Sequence, residues 1–199
     1  WLNLPAASKN VEPYFGMMWN EKIPVVSTQD NEGKRIQIKL IAGNYKDTKA
    51  LAPAPDSWAA NPENGINIWL ISLEPEATFT LPKGAAGANR SLYFYEGEML
   101  YAEEFEIPPM HQIKADPTEE LVVKNGNQKA QLLLLEGKPI NEPVVKHGPF
   151  VGNTRKDIET AFMNYQQTQF GGWPWDSHEH THAADLGRFA LFPDGNLQK

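Results

Sequence analysis

Cysteine is absent from the 199-residue chain, which removes disulfides, thiolate metal ligands and a cysteine nucleophile together while leaving the redox compartment open. No apolar run approaches the ~20 residues that a membrane-spanning helix needs. No membrane association is therefore expected, and the chain reads as soluble and cytoplasmic. Basic residues are in deficit, with 18 Lys and Arg against 25 Asp and Glu and a net charge of −7. They are scattered, so no stripe neutralises a phosphate backbone, and direct nucleic-acid binding is not expected. No serine sits in a Gly-x-Ser-x-Gly elbow, and no internal repeat or low-complexity tract is present. Methionine does not open the chain. Trp1-Leu2-Asn3-Leu4-Pro5 does, with no charged leader or small-residue cleavage pattern, and the expectation is of a chain cut from something longer. Its length suits one medium domain with extensions.

What is present is mostly strand signal. Short runs rich in β-branched and aromatic residues, separated by Gly, Pro, Asn and Asp, extend from Arg35 to Leu135. Segment 35–43 alternates, with Ile36, Ile38 and Leu40 on one face. Segment 66–73 is apolar on both faces, as a strand covered on both sides would be. Segments 77–82, 91–100, 103–109, 120–126 and 129–137 follow at the spacing of an antiparallel sandwich or barrel. Lys124-Asn125-Gly126-Asn127 places an Asn-Gly pair between two apolar runs, which predicts a tight hairpin. Residues 51–65, rich in Ala, Pro and Asn, have no periodicity and predict a long surface excursion.

One helix is expected over 154–169. Thr154 followed by Asp157 resembles a capping box, and Ile158, Ala161, Phe162 and Tyr165 recur at i, i+3, i+4 and i+7. Gly171-Gly172 is the expected stop. An amphipathic helix after a run of strands must lay its apolar stripe on something, most simply a barrel face or a neighbouring domain.

Candidate chemistry is sparse. Glu103-Glu104 and Glu119-Glu120 are adjacent pairs, and strand neighbours point to opposite faces, so neither pair can act jointly as acid and base; solvated edges are the expectation. His178, His180 and His182 would project to one side of an extended strand. They lie in an irregular tail without the supporting shell a metal site needs, so they stand as an outside metal candidate. His147, in Val-Lys-His-Gly-Pro, reads as a structural imidazole in a shaped turn, and His111 as a surface group at a strand start. Trp69, Phe79, Tyr93, Phe94 and Tyr95 fall on strands. Such side chains either fill a small barrel or line a pocket, and in the second case Trp69, Tyr93 and Tyr95 are the candidates.

Segment 136–175 carries a resemblance. Leu134, Gly137, Pro139, Glu142, Pro143, Val144, Gly148, Pro149, Phe150, Val151, Asn153 and Thr154 follow the order LxxGEPxxEPVxxxGPFVMNT, with Gly152 at the Met position. Phe170 to Trp175 (FGGWPW) and Gly187 to Ala190 (GRFA) continue the likeness, and Trp1 to Pro5 with Pro13-Tyr14 resembles an interdomain passage. This pattern is similar to the carboxyl-terminal part of the pirin family in the cupin superfamily, whose members carry two β-barrels in tandem. In outline the resemblance covers the whole chain, with 45–120 the most divergent part.

The resemblance implies a mostly β, cupin-type antiparallel jelly-roll barrel with one carboxyl-terminal helix. It implies three regions: a linker and strand from a missing first barrel at 1–28, the barrel at 29–140, and a connector, helix and irregular tail at 141–199. Glu142, Pro143, Gly148, Pro149, Phe150, Asn153 and Thr154 enter as structural motif residues, with no catalytic role. The family's iron site lies in the first barrel, on three His and one Glu including a His-Pro-His segment. At the equivalent point this chain has 81–97, with Lys83, Gly84, Ala85 and Asn89, and such side chains do not suit Fe(II). No cofactor is expected in this chain, and iron is expected in the absent barrel.

Two readings of function follow. In the first, the chain supports an iron-bearing barrel of the same parent, in a family that includes quercetinase-type dioxygenases and redox-responsive transcriptional co-regulators. The chain alone is then expected to be inactive, with the first barrel as partner or self-association in its place. In the second, it is a metal-independent module that binds a ligand or protein. Trp1, Leu2, Leu4, Phe15, Met17, Met18 and Trp19 concentrate apolar groups near the amino terminus, and such a patch is expected to be covered.

Overall fold

Inward apolar residues at every second position set the strands, and in the computed structural model, which describes residues 1–173, 178, 182–192 and 195–199, they form two facing sheets. The strands in chain order are β1 (Val25–Gln29), β2 (Arg35–Ala42), β3 (Asn44–Tyr45), β4 (Thr48–Lys49), β5 (Asn67–Leu73), β6 (Thr78–Leu81), β7 (Asn89–Glu96), β8 (Leu100–Ala102), β9 (Phe105–Ile107), β10 (His111–Ala115), β11 (Leu121–Asn125) and β12 (Ala130–Gly137). A six-stranded sheet runs β1-β2-β5-β12-β7-β10, a four-stranded sheet runs β6-β11-β8-β9, and β3 and β4 form a small hairpin. All pairings are antiparallel.

Residues of one parity meet between the sheets. Ile36, Ile38 and Leu40 of β2, Trp69, Ile71 and Leu73 of β5, Leu132 and Leu134 of β12 and Leu92 and Phe94 of β7 face Phe79 and Leu81 of β6, Val123 of β11 and Leu100 of β8, all buried in one core. Burying each large apolar side chain contributes about 1.5–3 kcal/mol relative to leaving it in water. The mostly β, cupin-type fold expected from the sequence is the fold observed.

Several local expectations need correction. Asn125-Gly126 is not a hairpin turn, because β11 and β12 lie in different sheets. Asn125 is buried, and its Nδ2 donates to the carbonyls of Leu73 (3.4 Å), Glu74 (2.8 Å) and Gln128 (2.7 Å), tying the crossover to the end of β5. Gly126 is there for close approach, since a Cβ would sit 2.9 Å from the Met99 carbonyl oxygen. The run 91–100 is likewise not one strand. The chain changes sheets between Glu96 and Leu100, so that Phe94 and Leu100 reach the core from opposite sides. Glu103-Glu104 form the turn between β8 and β9, where Glu103 adopts φ 52°, and Glu119-Glu120 lie in the non-strand segment between β10 and β11. The excursion at 51–65 contains two single turns of 3-10 helix, at Trp58–Ala60 and Pro62–Asn64.

The chain falls into two compact units, Trp1–Ile140 and Asn141–Lys199. The second holds the hairpin of β13 (Val145–His147) and β14 (Phe150–Gly152), the helix α1 (Arg155–Thr168), and the small pair β15 (Ala190–Leu191) and β16 (Leu197–Gln198). The connector expected between barrel and helix is thus itself a hairpin. Thr154 caps α1 through a full capping box with Asp157. The helix stops at Gln169, which takes a left-handed conformation ahead of Gly171. Its apolar stripe lies on the hairpin, with Phe162 edge-on to Phe150 at 4.8 Å.

Candidate functional site

A barrel interior is where a cupin would place chemistry, and here apolar side chains occupy most of it. Trp69 is 3% exposed and packs edge-on against Tyr45 at 5.3 Å, with Tyr45 near Phe79 at 6.4 Å. Burial pushes the Tyr45 phenol above its ordinary pKa. Trp69 Nε1 is buried without a hydrogen-bond acceptor. Of the three candidate pocket residues, Trp69 therefore sits inside, whereas Tyr93 and Tyr95 stand on the outer face of β7, in register with outward positions of the sheet. The structure does not bring the three together.

The interior polar group missed by sequence reasoning is a buried ion pair. Arg90 shares its parity on β7 with Leu92 and Phe94, and Glu136 shares its parity on β12 with Leu132 and Leu134, so both face inward. Their side chains are 2% and 1% exposed, and Arg90 Nε donates to Glu136 Oε2. Asn67 Nδ2 donates to the other carboxylate oxygen at 2.9 Å, and an Arg90 terminal nitrogen donates to the Glu119 carbonyl at 3.2 Å. Gly84 lies over the pair, where a Cβ would meet Glu136 Oε1 at 2.4 Å and Arg90 at 2.5 Å. Parity was the signal available in the sequence, since a charge in phase with core leucines must be paired.

This donor set does not fit a cupin iron. Glu136 is the one buried carboxylate among the described residues, both of its oxygens already accept hydrogen bonds, and a guanidinium holds the adjacent space. Fe(II) favours several imidazoles with a carboxylate and open positions. Among the described residues no group of three His, Cys, Asp or Glu side chains is placed to hold a metal ion. The two buried charges satisfy each other, and the pair is structural.

The outer face of the six-stranded sheet is more apolar than a solvated surface requires. Ile68 and Leu70 of β5, Leu133 and Leu135 of β12 and Tyr93 of β7 alternate with the core residues and stay only partly buried or exposed. Trp1, Leu2, Trp58 and Ile140 rim a concavity of about 680 Å³ over this face. Trp58 is fixed there by its Nε1, which donates to the Lys138 carbonyl at 2.9 Å. Trp1 is 92% exposed and Tyr95 40%. Burial and the neighbouring Glu96 carboxylate both push the Tyr95 phenol above its ordinary pKa.

In the second unit the motif residues form a polar lattice. Asn153 Nδ2 donates to Glu142 Oε2 at 2.8 Å and to the Pro143 carbonyl at 3.0 Å, while Asp157 Oδ2 accepts from the backbone N–H groups of Asn153 and Thr154, each at 2.8 Å. Gly148, at φ 54°, and Pro149 turn the β13–β14 hairpin, and Phe150 carries it onto α1. His147 packs edge-on to Phe162 at 5.4 Å. His111 is exposed, with Nδ1 3.1 Å from the Pro109 carbonyl. In the tail, His178 stacks near Trp173 at 6.3 Å, whereas His182 lies 2.6 Å from the Gly187 carbonyl and against Phe189. His180 lies outside the described residues.

Comparison with known proteins places these features in a family. The family model for the pirin C-terminal cupin domain matches residues 68–171, just over half of the chain. A pirin-like protein of Solanum lycopersicum is 29% identical over 169 residues, which cover 83% of this chain and 53% of that protein. Pirin of Homo sapiens is 26% identical, with 86% and 56% covered. A crystal structure of quercetin 2,3-dioxygenase from Acinetobacter baumannii superposes with a TM-score of 0.69 at 25% identity, covering 86% of this chain and 55% of that one. The chain thus spans about half the length of the relatives it matches. By this match the chain belongs to the pirin family, as a pirin C-terminal cupin domain.

Proposed function

We propose that this chain is a docking module, and that the outer face of its six-stranded sheet carries a companion cupin barrel of the same parent protein, which supplies the iron chemistry. What carries the reading is the apolar outer face, with Ile68, Leu133 and Leu135 lining a concavity of about 680 Å³ and Leu70 continuing the face beside it. A strand of a one-layer surface would alternate apolar and polar positions, but β5 is apolar on both sides, which fits a sheet covered on both sides. The Arg90–Glu136 pair supports assigning metal binding elsewhere, since its groups are already satisfied. On this reading a quercetin dioxygenase activity or a regulatory role belongs to the two-barrel protein, and this chain contributes stability and a surface.

The test is the association state of the chain alone and with Leu133→Asp. The chain is expected to self-associate as concentration rises by light scattering, and the variant to stay monomeric with unchanged circular dichroism. A wild-type chain monomeric throughout, and as stable as the two-barrel protein, would overturn the reading. A metal-independent ligand pocket is the second reading, favoured by the size of the same concavity, which lies within the ~300–1,000 Å³ of small-molecule sites. It requires a monomeric chain whose intrinsic tryptophan emission responds to a small apolar ligand and loses that response in Trp58→Phe.

A further inference from the structure

Both sheets of the barrel end at the same place. β10 pairs only with β7 and closes the six-stranded sheet, while β9 pairs only with β8 and closes the four-stranded one, among the described residues. The two unpaired edges border a cleft of about 560 Å³. Its floor is core that the sheets leave half covered, where Ile107, Ile113 and Leu121 pack against the buried cluster yet reach the cleft. Phe105, on its rim, is 61% exposed.

Charge selects the occupant. Glu106, Asp116 and Glu120 line the cleft together with Glu103 and Glu119, and its basic lining groups are Lys114 and His111. Glu119 is engaged by Lys83 at 3.2 Å. Asp116 accepts from the Thr118 hydroxyl and backbone N–H, which hold its carboxyl below the usual range, so it is charged at neutral pH. A second copy would bring the same acidic edge and be repelled, which is how exposed edges resist self-pairing. A basic strand would be attracted by it.

We propose that the β9–β10 cleft binds an extended basic peptide segment by strand addition, the peptide backbone completing the open edge, its apolar side chains on Ile107, Ile113 and Leu121, and its Lys or Arg side chains against Glu106, Asp116 and Glu120. Strand addition gives affinity through main-chain hydrogen bonds and specificity through alternate side chains. This proposal stands apart from the docking reading, because the two surfaces share no lining residue.

The test titrates the 199-residue chain with a short capped peptide of alternating lysine and valine, followed by calorimetry and amide exchange. Binding is expected to slow exchange at 105–107 and 111–115, to weaken with added salt, and to fall roughly tenfold or more when every second peptide amide is N-methylated, because several main-chain hydrogen bonds are then lost. Glu106→Lys with Glu120→Lys is expected to lower affinity by a similar factor. The proposal is overturned if the N-methylated peptide or a glutamate–valine peptide binds as tightly, if spermine binds as tightly as the lysine–valine peptide, or if protection appears elsewhere. Should the double variant not fold, the N-methylated comparison on the unaltered chain decides.

Discussion

Asn125→Asp separates two accounts of the Asn-Gly pair more sharply than any other single change. In a two-residue hairpin turn Asp-Gly serves nearly as well as Asn-Gly, so the substitution would be close to neutral. In the observed crossover, Asn125 is 1% exposed and its Nδ2 donates to three carbonyls, two of them at 2.8 and 2.7 Å. Its Oδ1 has no protein partner. Removing the amide nitrogen forfeits these part-buried bonds, while the Glu74 carbonyl keeps the Ala77 N–H at 3.1 Å, so at about 0.5–1.5 kcal/mol net for each of the two short bonds, with the 3.4 Å one discounted, Asn125→Ala should cost about 1–3 kcal/mol. Asp adds a buried carboxylate facing the same carbonyls and is expected to cost more than Ala. Urea unfolding followed by far-ultraviolet circular dichroism gives the difference from a shift in midpoint at constant slope. The Asp variant should recover relative to wild type as pH falls, because the neutral acid can donate one hydrogen bond. A loss for Asn125→Asp under about 1 kcal/mol would refute the crossover geometry.

Other expectations follow from the same structure. Glu136→Ala should cost about 3–5 kcal/mol by leaving Arg90 buried and unpaired, whereas Arg90→Met combined with Glu136→Leu should cost far less; equal losses in urea unfolding would contradict a matched pair. Thr154→Ala or Asp157→Ala should each cost about 1 kcal/mol of helix stability, read as faster amide exchange in Arg155–Thr168 with β5 and β12 unaffected. Asp30 accepts from the backbone N–H groups of Thr78, Lys34 and Glu32, and these bonds hold its carboxyl below the ordinary 3.8. A lowered folded-state pKa contributes stability that is present above the unfolded value and lost as pH falls through the folded one. Asp30→Asn should therefore be less stable than wild type at neutral pH, with the gap closing below about pH 3.8; a gap independent of pH would count against those hydrogen bonds.

Legibility in the sequence followed the range of the interactions. The core of β2 could be read from alternation, β5 from a run apolar on both faces, and the start of α1 from Thr154 and Asp157, because these signals are local. Asn125 failed for the opposite reason. A turn signal reports that the chain reverses, but not which strand it meets next, and the deciding partners, Leu73 and Glu74, lie about fifty residues away. The Glu pairs read as solvated strand edges, but Glu103 takes a left-handed conformation that composition does not reveal. Arg90 and Glu136 were legible in principle through parity alone. Trp69, Tyr93 and Tyr95, the candidates had the aromatics lined a pocket, are split by strand register: Trp69 faces in, and the two tyrosines face out.

The stretch that identifies the family is poor in reactive groups for a physical reason. Asn153, with Glu142, and Asp157, with the two backbone N–H groups before the helix, use their polar atoms to hold the β13–β14 hairpin at the start of α1. Phe150 and Phe162 then close the hairpin onto the helix from its apolar side. A unit in which Ile158 is the one buried residue of the helix has little core to define that angle. Direction comes instead from these oriented hydrogen bonds, which need particular polar side chains at particular positions without needing a substrate. The barrel works the other way. A large core accepts exchange among apolar residues of similar volume, so pattern more than residue identity specifies it, and a charge inside it, as at Arg90, stands out only once the strands are in register.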